Sequence, residues 1–402
     1  MCAFSGILFL ALVLGALANL DNTQISATAR LFNSDQSVYG VHFTSQANSQ
    51  SSSRSRPLSP KDEMHVIVVD RSGHGNFRSV QQAIDSVPLD NRKWIQIQIR
   101  AGVYREKVTI AFNKPYISLV GEGRSSTIIQ WWDGGGSETL EYATFSVYSN
   151  NFVARNITFK NTYHPDIISQ APAVLVYGDK IAFYECGFIG VQDTLTDFTG
   201  RHLFEGCYIE GYVDFIWGYG QSMYHGCTIN VTSGVYDDRI YGAGYITAQG
   251  RENMDDSNGF VFKYCTILGT SLAYLGRPYQ SFSRVVFYKS YFSDVVVPQG
   301  WNPSFTLGHE GSVTHDEVEC TGPGSDTSQR VKWGRSLSSE ELNYLINPNT
   351  FINQDNWIEN QPFPTTRMFQ KFFTPTTTTR KELQRRIPLS RSFPFAHPRG
   401  AD

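Results

Sequence analysis

Phe183-Tyr184-Glu185-Cys186-Gly187-Phe188-Ile189-Gly190 returns as Phe204-Glu205-Gly206-Cys207-Tyr208-Ile209-Glu210-Gly211, then as Tyr224-His225-Gly226-Cys227-Thr228-Ile229, and again as Phe262-Lys263-Tyr264-Cys265-Thr266-Ile267-Leu268-Gly269. The first three copies start about 20 residues apart. A unit that short, made of brief strands and glycine turns, cannot bury its own apolar face and must stack on its neighbours. Leucine-rich repeats share the period, but their Leu/Asn consensus is absent, so the repeat points to a parallel β-helix. Stacking sets equivalent residues one above another at about 4.8 Å. Cys207 and Cys227 are equivalent in consecutive coils, so the spacing admits either a disulfide between them or a ladder of free, buried thiols.

Outward from the repeat, Ile95, Ile97 and Ile99 alternate with polar residues at the strand period, and His65 to Asp70 reads as a strand. Phe77, Val80, Ile84 and Val87 fall at helical spacing. A Ser338-x-x-Glu341 capping box before Leu342, Leu345 and Ile346 announces a second short helix. The first 18 residues carry an apolar run from Phe4 to Leu17 and end Ala16-Leu17-Ala18, which predicts a cleaved signal peptide over 1–18 although no Lys or Arg precedes the run. Residues 19–60 are rich in Ser, Gln and Asn and read as a flexible leader; the domain is expected over 61–365; and 366–402 read as a basic, disordered tail.

The chain has 402 residues, 34 glycines, 18% charged residues and a formal net charge of −3. So small a charge recruits neither nucleic acid nor an anionic membrane, and any acidic ligand must be captured locally. Once Cys2 leaves with the signal, Cys186, Cys207, Cys227, Cys265 and Cys320 remain, an odd number that cannot all pair internally. There is no CxxC, HExxH or G-x-S-x-G, so neither a zinc site nor a serine-hydrolase elbow is expected. What remains is Gln192-Asp193-Thr194-Leu195 and Asp214-Phe215-Ile216-Trp217-Gly218, their aspartates 21 residues, or one coil, apart. Two carboxylates on neighbouring rungs of an apolar face repel when both ionise, which divides them into an acid and an anion. The same spacing also suits two aspartates that only hydrogen-bond turn amides.

These segments resemble the plant pectinesterases (pectin methylesterases, carbohydrate esterase family 8). The resemblance runs from about Val66 to Asn360 through Gly73-His74-Gly75-Asn76-Phe77, Gly102-Val103-Tyr104-Arg105-Glu106, Arg155-Asn156-Ile157-Thr158-Phe159, Gln170-Ala171, Gln192-Asp193-Thr194-Leu195, Asp214-Phe215-Ile216, Thr247-Ala248-Gln249-Gly250-Arg251, Leu275-Gly276-Arg277-Pro278 and Gly300-Trp301. It implies a right-handed, single-stranded parallel β-helix of the pectin lyase-like, all-β class with short flanking helices. It further implies Asp214 as nucleophile, Asp193 as acid and base, and Gln192 and Gln170 as oxyanion donors. Arg277 would hold Asp214, and Phe145, Trp217, Tyr279 and Trp301 would line the sugar cleft. No cofactor or metal is implied.

The chain departs from the family's usual pattern at Thr196, Trp217 and Tyr279, all bordering the cleft, and Arg201-His202 stands where Arg-Gln is common. The stretch before Val66 is too short for the inhibitor-like helical domain of many members, which implies the short class. Asn156-Ile-Thr and Asn230-Val-Thr are glycosylation sequons, both expected on repeat strands. The implied partner is methylesterified homogalacturonan in the cell wall, acted on by a secreted monomer, with a proteinaceous inhibitor as a second partner. An inactive pectin-binding wall protein is the alternative; the motif sets of lyases and polygalacturonases on this scaffold are absent.

Overall fold

The computed structural model describes residues 64–136, 139–234, 236 and 242–362. The expected signal peptide, leader and basic tail lie outside these, as do both expected ends of the domain. The strands are dealt in turn into three parallel sheets of ten, seven and eight. One coil illustrates the rest: Ile181–Tyr184, Gly187–Ile189 and Leu195–Asp197 each enter a different sheet, and Arg201–Glu205, Tyr208–Gly211 and Ile216–Gly218 repeat them one rung on. This is the parallel β-helix, wound in the right-handed sense that twisted strands and their crossovers favour.

The repeat marks the inside of each coil. Phe183 pairs in register with Phe204, Phe204 with Tyr224, Tyr224 with Phe262 and Phe262 with Phe287. Their rings form a buried column with centroids 5.4, 4.7, 4.4 and 4.5 Å apart and planes within 15°. Between ring and cysteine each coil turns a corner through one residue of positive φ: Glu185, Gly206, Gly226 and Tyr264. That left-handed turn tips the following cysteine inward.

The cysteines form a ladder of free thiols, and the disulfide between Cys207 and Cys227 is not formed. Stacked equivalent side chains sit about a strand spacing apart, wider than the ~3.5–4.5 Å that bridged Cβ atoms require. These two thiols each donate instead to a carbonyl of the preceding coil, Cys207 to Phe183 at 3.4 Å and Cys227 to Phe204 at 3.3 Å. In the coil after Cys265, Ser290 takes the cysteine's place, its hydroxyl accepting from the Cys265 amide at 3.1 Å.

Both expected helices are present. Ser79 caps the helix Val80–Asp85, whose first turn is also held by Glu106, accepting from the Ser79 hydroxyl and from the amides of Val80 and Gln81 at 2.6–3.0 Å. The Gly102–Glu106 motif therefore fastens the N-terminal helix to the first coils. At the other end the Ser338/Glu341 box opens Ser339–Ile346. Leu345, Phe351, Ile352, Trp357 and Ile358 from this region pack on the outer face of the ten-stranded sheet, over Val153, Ala182, Leu203, Met223, Val261 and Val286.

Arg201 and His202, the pair noted as a departure, do separate structural work. Arg201 bonds Asp179 through Nε and Nη2 at 2.9 and 2.7 Å and reaches Asp355 at 2.9 Å. His202 is fully buried, with Nδ1 2.5 Å from Asp197 Oδ1 and Nε2 2.8 Å from the Gly178 carbonyl, while the Tyr224 hydroxyl donates to the other Asp197 oxygen at 2.6 Å. Burial opposes the imidazolium, but Asp197 outweighs it and the His202 pKa is raised. Its charge therefore stabilises the fold below the ordinary histidine pKa, and that contribution fades as pH rises through the higher, folded value. His202→Ala, which strands the Asp197 carboxylate, is expected to cost about 3–5 kcal/mol. Thermal unfolding of both proteins between pH 5 and 8 checks this: the gap in Tm should be wider at the acid end.

Candidate active site

The seven-stranded sheet carries the candidate chemistry. Asp193 and Asp214 occupy equivalent corners of consecutive coils, just before Leu195–Asp197 and Ile216–Gly218, with the Asp193 amide donating to the Val213 carbonyl at 3.1 Å and Leu195 to Phe215 at 2.9 Å. Both have positive φ, 58° and 48°. Aspartate is among the few residues that enter this region readily, and strained backbone gathers at functional sites. The turn lifts each carboxylate off the strand, yet both stay buried at 7% and 6% exposure.

Burial first, and the neighbouring Asp214 charge second, push the Asp193 carboxyl well above the usual carboxylate range, with Arg277 opposing. Burial raises Asp214 too, but Arg277 counters it by hydrogen bonds and charge. Arg277 donates Nε to Asp214 Oδ1 at 2.8 Å and Nη2 to Oδ2, the two-pronged grip that favours an ionised carboxylate. Both carboxyls are thus pushed up, Asp193 much further, and the arginine grip favours the charged form at Asp214 over Asp193.

Arg277 is itself fixed from two sides. Its guanidinium lies 4.3 Å from the Tyr245 ring centroid and 5.0 Å from that of Phe305. Tyr245 in turn stacks on Tyr274 at 5.4 Å and 12°. Neither Tyr245 nor Phe305 was legible in the sequence, because their contact with Arg277 arises from the pairing of Gly244–Gln249 with Ala273–Pro278 and from a loop fold, not from any motif.

Gln170 and Gln192 stand on successive rungs, Gln170 bridged to Gln192 and Gln192 to Val213. Both are half-exposed, in the coils leading to the aspartates. Trp217, half-buried in the strand Ile216–Gly218, meets the Tyr279 ring edge-on at 5.5 Å. These two aromatics stay partly open to solvent, Trp217 three residues past Asp214 and Tyr279 two past Arg277.

The other two do not. Phe145 is fully buried, 4.6 Å from Phe159 and 5.7 Å from Phe152, because it aligns with Val174 and so with the inward position of its strand. Trp301 is 4% exposed; its indole donates to Glu317 at 3.0 Å and its ring packs on His315 at 4.4 Å. Both are core residues rather than cleft walls. The Thr247–Arg251 motif is structural as well: Gln249 accepts from the Arg251 and Arg284 amides at 3.0 and 2.7 Å, and Arg251 donates to the carbonyls of Met254, Asp256 and Phe282. Of the sequons, Asn156 lies at an exposed corner with φ 56°, not on a strand, while Asn230 is on a strand and donates to Glu210 at 3.0 Å. Among the described residues no cluster of His, Cys, Asp and Glu is arranged to hold a metal ion.

The sequence pattern of the Pectinesterase family matches residues 66–355, which takes in every element of this site. The chain is 46% identical over 306 residues to the probable pectinesterase 29 of Arabidopsis thaliana, covering 74% of this chain and 90% of the relative. The probable pectinesterase 55 of the same plant is 45% identical over 304 residues, 74% of this chain and 91% of that one. Among solved structures, the pectin methylesterase from carrot superposes with a TM-score of 0.68 at 32% identity, over 77% of this chain and 98% of that one. That from Aspergillus niger gives 0.62 at 28%, over 75% and 97%. Coil, site and sequence agree over the same residues, and the chain belongs to the pectinesterase family.

Proposed function

We propose that this protein is a pectin methylesterase, hydrolysing the methyl esters of polygalacturonate and releasing methanol through an aspartyl acyl-enzyme. One observation carries the reading: Asp214, gripped by arginine, stands one coil on from Asp193, a buried carboxyl whose pKa burial and the Asp214 charge push up. Asp214 attacks the C6 carbonyl, and its oxygen joins carbon while the carbonyl oxygen takes the charge. The side-chain amides of Gln192 and Gln170 donate to that oxyanion. Asp193 passes its proton to the departing methoxy group, leaving an anhydride on Asp214 and a carboxylate at Asp193. That carboxylate deprotonates the incoming water, whose attack on the galacturonyl carbon frees Asp214 and restores the starting charges.

The ester carbonyl is attacked directly, so no cofactor takes part. Homogalacturonan is the substrate in this reading and the cell wall the place of action, supported by the exposed Asn156 sequon and by the apolar run at the start of the chain. The test is methanol release from highly methylated pectin across pH. Asp214 must be ionised and Asp193 protonated, so activity should rise through the Asp214 pKa and fall through the higher Asp193 pKa, both above the ordinary carboxylate range. Pectin binding without methanol at any pH would select an inactive wall-binding protein instead.

A further inference from the structure

We infer that Tyr245 is a positioning residue for the esterase reaction: its ring holds the Arg277 guanidinium in the place from which it grips Asp214. This rests on the proposed esterase function and adds what keeps the nucleophile oriented and charged. The register shows why Arg277 needs support. Trp217, Ala248 and Arg277 align on three consecutive coils, so Arg277 starts two coils beyond the nucleophile. At the spacing of parallel strands its side chain must reach back across roughly 10 Å to meet Asp214. An arginine stretched that far gives up the freedom of all its torsions, and a grip made only at its tip would be loose.

The coil that Arg277 crosses supplies the support. Gly244–Gln249 lies between Ile216–Gly218 and Ala273–Pro278 in the seven-stranded sheet. Ala248, the partner of Arg277 in register, is too small to block the way, and Tyr245, near the start of the same strand, presents its ring to the guanidinium at 4.3 Å. Tyr245 is itself placed by contacts that lead back to the nucleophile's coil. Its amide donates to the Tyr212 carbonyl at 2.8 Å, and the Tyr212 hydroxyl donates to the Gly242 carbonyl. Gly244 permits this close approach, since a Cβ there would lie 2.3 Å from the Tyr212 carbonyl oxygen and 2.7 Å from the Tyr212 ring. From the following coil Tyr274 stacks on Tyr245, its partner in register.

Tyr245 is half-exposed and so is not a core ring that the coil needs for its own burial. What it contributes is electrostatic. The titratable and charged groups facing Asp214 are Asp193 from the preceding coil, Arg277, and the Tyr245 phenol with Tyr274 behind it. Arg277 favours the Asp214 carboxylate while burial opposes it, and burial works against the arginine's own charge as well. An aromatic face draws a guanidinium by its negative potential even where water is displaced. Tyr245 therefore fixes the arginine on the coil it crosses without adding a second anion that would compete with Asp214 for it. With the ring removed, the guanidinium has room to swing, the two-pronged grip loosens, and Asp214 becomes both harder to ionise and less well aimed.

The experiment compares wild type, Tyr245→Leu and Tyr245→Phe by methanol release from highly methylated pectin across pH, with Tm measured alongside. Tyr245→Leu should lower kcat roughly tenfold and move the acid limb to higher pH by about half a unit or more, with KM changed less than about twofold. Tyr245→Phe, which keeps the aromatic face, should recover both kcat and the acid limb. Should the leucine variant fail to fold, trifluorophenylalanine in place of Tyr245 keeps a ring there but strips its face of negative potential, and it should move the acid limb the same way relative to Tyr245→Phe. A rise in KM with kcat and the acid limb unmoved would make Tyr245 a substrate contact, and a lowered Tm with the pH profile intact would make it packing; either result overturns the inference. If the wild type releases no methanol, the esterase reading fails by itself. Nitrogen NMR of arginine-labelled protein then still decides the hold on Arg277: its Nε–H should exchange at least about tenfold faster in Tyr245→Leu than in wild type, and equal rates would show that the ring does not fix it.

Discussion

Replacing Asp214 with asparagine should lower methanol release by at least about 10⁴-fold while leaving the coil intact, because the side chain keeps its shape and loses the anionic oxygen that attacks carbon. Asp193→Asn should be as silent on the methyl ester for a different reason: methoxide is a poor leaving group and needs the proton that the proposed mechanism takes from Asp193. The two variants part on an activated aryl ester of galacturonate, whose leaving group departs without a proton. Asp193→Asn should then release a burst of about one equivalent and stall as the anhydride, since the base for the second step is gone. Asp214→Asn should give no burst. A burst from both variants, or from neither, would mean that the roles assigned from burial and charge are wrong.

The repeat announced the coil because its cysteines and rings recur at a fixed offset, and that offset reflects the single left-handed residue at the corner between ring and cysteine. What made it legible is that Phe183, Phe204, Tyr224 and Phe262 do one job at one place. Its reading of the thiols stopped at proximity. Whether two stacked cysteines bond depends on a few tenths of an ångström in Cβ separation and on the carbonyls within reach, which no spacing encodes. Phe145 and Trp301 were misplaced because motif order says which coil an aromatic occupies, whereas facing inward or outward is set by a single residue of register. The site's polar residues were legible because each lies in a motif beside the repeat. What holds Arg277 in place was not, because Tyr245 and Phe305 reach it from a neighbouring strand and a loop.

Arg277→Ala should therefore damage both chemistry and fold. Asp214 would lose the arginine charge that opposes burial, which already pushes the carboxylate up, so its pKa should climb towards that of Asp193. The acid limb of the pH profile then moves to higher pH, the window in which one carboxyl is charged and the other protonated narrows, and kcat/KM falls roughly 10²-fold or more at the former optimum. Because the side chains of Asp214 and Arg277 are only 9% and 19% exposed, removing the arginine also leaves a buried carboxylate unmatched, at about 3–5 kcal/mol. That loss should itself depend on pH: it is largest where Asp214 would be ionised and shrinks as acid protonates it. Arg277→Lys separates charge from geometry. Lysine restores a positive charge but neither the two-pronged grip nor the planar group that lies between Tyr245 and Phe305, so it should recover much of the stability and the position of the acid limb, and little of kcat. Thermal unfolding and pH profiles of the three proteins measure all of this, and an acid limb that stays put in Arg277→Ala would show that the arginine does not govern the charge on Asp214.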